Sequence, residues 1–193
     1  YSDGWQVGGI VGWAQNAGAT ITKCAAYGTV KSEGGFTGGI VGIADGSEKV
    51  VEITECLSLQ SKLETVNPDI EKTYRIIANH AAGIYSKNYG LATTEISDPH
   101  KFAWEDDVNG KDGASISDEQ AVSADFFADS LTWDFTDVWV LTAAGLKFQW
   151  EPKEYVHIST AAEFSDIRND ASGWYILDND IDLIDFEFIA IAQ

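Results

Sequence analysis

A pentapeptide that recurs at a fixed distance constrains this chain more than any other feature. Gly8-Gly9-Ile10-Val11-Gly12 returns as Gly38-Gly39-Ile40-Val41-Gly42, an offset of 30 residues. Further on, Ile21-Thr22-Lys23-Cys24 returns as Ile53-Thr54-Glu55-Cys56, an offset of 32. The two extra residues fall in the polar run Asp45-Gly46-Ser47-Glu48, which reads as a turn. A third, degenerate unit is expected from Ala81, where AAGIYSKNYGLATTEI keeps the shape of the motif without its first and last glycines. Self-similarity at a spacing of this order indicates stacked units, because one unit cannot bury its own apolar face.

Each unit reads as short strands separated by turns. Ile10-Val11-Gly12-Trp13 is apolar at successive positions, as in a strand covered on both faces. Trp13, replaced by Ile43 in the second unit, accordingly reads as core. Glycine, lacking a Cβ, lets a neighbouring layer of backbone come close. Ala19–Lys23 and Val51–Glu55 alternate, with Ile21 and Ile53 facing inward. The expected fold is mainly β: a β-solenoid or parallel β-helix-like repeat body with a short capping helix and a partial second module. The body with its cap spans 1–151, and 152–193 starts a truncated helix-plus-strand module, with Pro152 marking the boundary.

Two helices are expected in the second half. Ser117 and Gln120 fit a capping box opening a helix to about Ser130, with Val122 and Phe126 on one face. Thr160 and Glu163 fit another, with Phe164 and Ile167 on the buried side. Trp133, Phe135, Trp139, Leu141, Phe148 and Trp150 supply apolar area for a cap that hides the exposed edge strand at the end of the stack.

The GGIVG cores, each followed by an Ile-Thr-x-Cys strand, resemble the GLUG-motif repeats of bacterial surface and secreted proteins. YRIIANHAAGIYSKNYGLA is similar to the degenerate closing repeat of such arrays. VNGKDGASISDEQAVSADFFADSLTWDFTDVWVLTAAGLKFQW is similar to the stretch that ends them, and VHISTAAEFSDIRNDASGWYILDNDIDLIDFEFIAIA to the lead-in of a fresh array. The resemblance implies an extracellular or cell-surface setting and a non-catalytic role, either an adhesin-like stalk or a ligand-binding module. The alternative it leaves open is an accessory, non-catalytic region of a secreted peptidase or carbohydrate-active enzyme.

Charge narrows the partners. The formal net charge is −19, and residues 94–193 hold 22 of the 31 acids. Such a surface repels phosphate backbones, which excludes nucleic acid as a partner and leaves a host glycan or an extracellular protein. No apolar run is long enough to span a bilayer. Met is absent, residue 1 is Tyr1 and the chain stops at Gln193 within an apolar stretch, so a segment of a longer precursor is expected.

The sequence holds no zinc-protease motif, phosphate-binding loop, nucleophile elbow or dinucleotide fingerprint, so no catalytic residue and no cofactor is expected. His80, His100 and His157 stand apart from one another. Asp178, Asp180 and Asp182, with Asp185, alternate as if along one face of a strand, and are the candidates for calcium. The competing reading is a solvated strand face with Ile181 and Leu183 inward. Asp106, Asp107, Asn109 and Asp112 form a second acidic loop that fits an ordinary Asn-Gly turn. Among aromatics suited to stacking on a sugar (Trp5, Trp13, Tyr27, Tyr85, Trp104), Trp104 is the ligand-binding candidate, because it stands among Asp and Glu in a loop. Cys24 and Cys56 occupy equivalent places in two units; a bridge is geometrically allowed, and unpaired buried thiols are the favoured state.

Overall fold

The computed structural model describes residues 5–15, 18–45, 50–66, 69, 71–80, 83–142, 145–151, 155–169 and 173–184. The expected turn at 46–48, Ala81, Pro152, Asp185 and the apolar stretch ending at Gln193 lie outside the described residues.

The repeat offset becomes a strand register. The first turn of chain contributes β1 (Gln6–Gly8), β2 (Val11–Gln15), β3 (Thr20–Thr22) and β4 (Ala25–Ser32). The second contributes β5 (Phe36–Gly38), β6 (Val41–Asp45), β7 (Val51–Thr54) and β8 (Leu57–Thr65). The third contributes β9 (Thr73–Tyr74), β10 (Ile77–His80), β11 (Gly83–Ser86), β12 (Tyr89–Leu91) and β13 (Glu95–Ser97). Each strand pairs in parallel with its counterpart in the next turn: β1-β5-β9, β2-β6-β10, β3-β7-β11, and β4-β8 with β12 and β13. Gly8 faces Gly38 and Ile21 faces Ile53, which are the two offsets of the sequence repeat. The architecture is mainly β with parallel sheets, consistent with a β-helix-like fold.

The turns are joined by a repeated backbone pattern. The amides of Ile10 and Val11 both donate to the Ile40 carbonyl, and those of Ile40 and Val41 both donate to Ile76. The chain of donors then ends on Lys111, whose carbonyl receives the amides of Ile76 and Ile77. This pattern moves the third unit. The place of Gly39-Ile40-Val41 is taken by Arg75-Ile76-Ile77, since Tyr74 faces Gly38 and Ile77 faces Val41. The segment from Gly83, expected as a degenerate GGIVG core, instead pairs with Val51–Thr54. Substitution of the glycine by Arg75 hid the true alignment.

Ile40, Val41, Ile53, Cys56, Ile76 and Ile77 form the centre of the core, and Ile21 packs with them. Coverage on both faces holds for Ile40 and Val41 in the second turn and fails in the first. Trp13 is 50% exposed on the edge strand beside Ile43, and Ile10 is also exposed, so Trp13 is not a core residue. A buried hydroxyl ladder, Ser32 to Thr37 to Thr65 to Thr73 with each step 2.8 Å, runs between the inner corners of the three turns. These hydroxyls satisfy one another where apolar packing stops.

The same corner of every turn carries a residue with positive φ: Lys23 (54°), Glu55 (55°) and Lys87 (52°). Charge alternates up the stack, with Glu55 Oε2 4.0 Å from Lys23 Nζ and Oε1 3.9 Å from Lys87 Nζ.

Beyond β13 the chain runs through an irregular loop to β14 (Ala114–Ile116), a fourth parallel rung on β12. The capping box at Ser117 and Gln120 forms, but it opens only a 3-10 turn, Gln120–Val122. The helix proper, α1 (Ala124–Ser130), starts afresh at Ser123, whose hydroxyl accepts from the Phe126 amide. Its buried residue is Phe127, while Val122 is exposed. Phe126 meets Tyr89 edge to face at 5.2 Å, so the helix lies against the flank of the β4-β8-β12 sheet. The aromatic segment after it straps onto the charged corner: Trp133 Nε1 donates to the Glu55 carbonyl, the Thr132 amide and hydroxyl donate to the Glu55 carboxylate, and Lys23 Nζ donates to the Thr132 carbonyl. Trp133 stacks on Trp139 at 4.4 Å. Strands β15 (Trp139–Thr142) and β16 (Gly145–Phe148) follow.

The chain divides into compact units Tyr1–Leu146 and Lys147–Gln193, so the division falls within β16. In the second unit, β17 (Val156–Ile158), α2 (Ala161–Asp166) and β18 (Tyr175–Leu177) form a parallel strand-helix-strand unit, with Ile158 facing Leu177. The Thr160–Glu163 capping box is complete. Phe164 and Ile167 are only half-buried, and Ser165 is the buried residue of α2.

Candidate functional site

Three places concentrate polar or aromatic side chains, and each is fixed by the turn geometry.

The first is the closed end of the stack. Arg75 is fully buried, because its Cα sits where the preceding turn has a glycine. Its Nε donates to the Asp112 carbonyl at 3.0 Å and Nη1 to the carbonyls of Gly90 and Leu91. Nη2 donates to the carbonyls of Glu105 and Gly113 and to Ser115 Oγ. Burial lowers the guanidinium pKa to about 10, with Asp112 and Asp106 opposing the shift. Beside it, Lys101 Nζ lies 2.8 Å from both Glu71 Oε1 and Asp112 Oδ2, and only 4.1 Å from the centre of the Tyr74 ring. Buried charges need partners of this kind. The result is a buried polar plug that ties the third turn to the loop 98–113 lying over it and to the start of β14.

Trp104 belongs to this plug. Its Nε1 donates to the Thr94 carbonyl at 3.0 Å, and its ring lies 5.3 Å from the Arg75 guanidinium carbon. The nearby acidic loop is likewise committed to backbone. Asp107 Oδ1 accepts from the Asn109 amide, Asp106 Oδ1 from the Ser115 amide, and Asp112 from the amides of Arg75 and Glu105.

Of the calcium candidates, Asp178, Asp180 and Asp182 are not on a strand, because β18 ends at Leu177. Asp178 Oδ1 lies 2.6 Å from His157 Nδ1, and its Oδ2 accepts from Ser159. Asp182 Oδ1 accepts from the Ile184 amide. Among the described residues no group of three or more His, Cys, Asp or Glu is arranged to hold a metal ion.

The second place is an open hollow of about 320 Å³ on the flank, lined by Tyr27, Leu59, Leu91, Ala121, Val122 and Asp118. Tyr27 faces Leu59 in register, and Leu91 follows in the third turn, so one ladder makes the floor. Ala121 and Val122 of the 3-10 turn make the wall. The Tyr27 ring is half-exposed and stands just before a bulge at Gly28, whose φ of +85° favours glycine. Asp118, at the rim, accepts from the Thr93 hydroxyl at 3.2 Å. An aromatic face, an apolar floor and a carboxylate rim suit an uncharged polar ligand.

The third place is the stacked thiol pair. Cys24 and Cys56 are both free. Cys24 is half-buried and its thiol lies 3.3 Å from the Thr22 carbonyl. Cys56 is fully buried, and its thiol lies 3.4 Å from the Thr54 carbonyl. The hydrogen bond from the Cys56 thiol holds the Cys24 pKa down at about 7, and the same bond, together with burial, pushes Cys56 up.

These features define a class: a parallel, turn-on-turn β protein closed by a polar plug. Residues 3–31, which include most of the first turn, match the family model described as the GLUG motif. Neither the curated proteins nor the solved structures hold a match to this chain. Among the described residues no helix is long and apolar enough to cross a membrane.

Proposed function

We propose that this chain is a non-catalytic structural and binding segment of a bacterial secreted or cell-surface protein, adhesin-like in its use. The body is a short β-solenoid, stiff because each turn is bonded to the next by backbone. The observation that carries the reading is the repeated pairing of turns, in which a GLUG repeat stacks in register on a second copy of its own pattern. Buried polar groups serve the plug and the corners, which suits a body that positions something. The reading needs no cofactor. It places the segment outside the cell, with a host glycan or an extracellular protein as the partner and the hollow beside Tyr27 as the contact surface.

The test is binding of the purified chain to a panel of host glycans and matrix proteins, with and without chelator. A saturable hit weakened at least tenfold by Tyr27→Ala, and unchanged by chelator, supports the reading. Hydrolysis of any member of the panel overturns the non-catalytic assignment.

A further inference from the structure

We propose that Cys24 and Cys56 are a pre-registered pair that closes into a disulfide between the first and second turns when the folded chain meets a disulfide-bearing oxidant. The residues after them, Ala25 and Leu57, are partners in parallel register, and the Leu57 amide donates to the Cys24 carbonyl at 2.8 Å. The residues before them, Lys23 and Glu55, share a φ of 54° and 55°, so both cysteines leave the corner in the same direction. Neighbouring strands stand about 4.8 Å apart, within the roughly 4.4–6.8 Å range of Cα separations that a disulfide spans. Cys56 already reaches toward the first turn: its thiol lies 3.5 Å from the Ile21 carbonyl. In the third turn the equivalent place holds Asn88, whose Oδ1 accepts from the Cys56 amide at 3.0 Å and whose Nδ2 donates to the Ile53 carbonyl at 2.8 Å. Asn88 closes the upper side, which leaves Cys24 as the thiol facing Cys56.

The two cysteines differ in the way a sequential exchange requires. Half-buried Cys24 is the one a small oxidant reaches, and its lowered pKa supplies thiolate near neutrality. Its thiolate attacks one sulfur of R–S–S–R, breaking that bond, releasing RS⁻ and leaving Cys24 as a mixed disulfide. Cys56 then gives its proton to solvent, and its sulfur attacks the Cys24 sulfur and expels the second RS⁻. The two protein thiols lose two electrons between them, and one R–S–S–R becomes two RSH once the thiolates are protonated. The bridge would close a loop of about 30 residues and staple the turn that has an exposed edge to the fully covered one.

The experiment uses the 193-residue chain, incubated folded with oxidised glutathione. Thiols are counted after denaturation, intact mass is recorded, and thermal midpoints are compared with and without reductant. The expected result is loss of both thiols, a mass lower by two hydrogens with no glutathione adduct, and a midpoint raised by roughly 5–10 °C. Cys56→Ser should stop at a stable adduct on Cys24, and Cys24→Ser should leave Cys56 unreacted. Two surviving thiols, an adduct that persists in the wild-type chain, a bridge formed only after unfolding, or a midpoint that does not rise would each overturn the proposal.

Discussion

Arg75 occupies in the third turn the place that Gly39 occupies in the second, and the two touch. A Cβ added to Gly39 would strike the Arg75 carbonyl and Ser58 Oγ. The Gly39 carbonyl also accepts from Gln60 Nε2 at 2.6 Å. One position therefore does opposite work in adjacent turns. As glycine it lets the next turn approach, and as arginine it ends the stack by filling the space above. Gly39→Val should destabilise by at least about 2–3 kcal/mol, because backbone rather than a movable side chain must yield. A thermal midpoint unchanged by this substitution would contradict the layered packing.

Removing the plug should cost as much. Arg75→Met keeps the stem of the side chain but leaves the carbonyls of Gly90, Leu91, Glu105, Asp112 and Gly113 without this donor. The expected loss is about 3–5 kcal/mol in urea unfolding, the range for breaking a buried charged network. A loss under about 1 kcal/mol would mean that the loop 98–113 closes the end without it.

The charged corner predicts a gain. Lys87 holds φ at 52° and has a side chain more than half exposed, engaged only weakly with Glu55 at 3.9 Å. Lys87→Gly removes the left-handed strain and should raise stability by about 0.5–1 kcal/mol. Glu55→Gly, at the same corner one turn below, should lower it, since the Glu55 carboxylate anchors Thr132. Equal effects from the two would show that the Thr132 strap carries no energy.

Acid should act at Glu64. Lys31 at 3.0 Å, with Lys62 at 3.3 Å, holds its carboxyl below the usual carboxylate range. The folded pKa is thus lower than the unfolded one, near 4.5. The contribution is present above that value and lost as pH falls through the folded pKa. Because the group is near the surface, the contribution is small, about 0.2–1 kcal/mol per pair. Glu64→Gln should lower stability slightly at pH 7 and make no difference at pH 2–3. A difference that persists in acid would place the effect in packing.

The repeat was legible because it is written in residues that must recur. Gly8 and Gly38, and Ile21 and Ile53, sit in register at the spacing the sequence shows. The Thr160–Glu163 box was legible because it is local. The third turn was hidden by the exchange of glycine for Arg75, whose reason is a plug assembled from residues up to 40 positions away. Trp13 misled because apolar patterning does not reveal that its strand lies at an edge of its sheet. The positive-φ corner left no signal, since Lys23, Glu55 and Lys87 are not turn-forming types. The Ser32–Thr73 hydroxyl ladder was equally silent, though Ser32 and Thr65 at the ends of β4 and β8, with Thr37 and Thr73 in β5 and β9, could have marked it.

The most direct test is native-state hydrogen exchange resolved to single amides. If turns are bonded through one repeated peptide and closed on Lys111, the amides of Ile40, Val41, Ile76 and Ile77 exchange together in the slowest class, at rates set by global unfolding. Fast exchange at Ile76 and Ile77, with protection kept at Ile40 and Val41, would contradict closure at the third turn. Fast exchange at all four would contradict the stack itself.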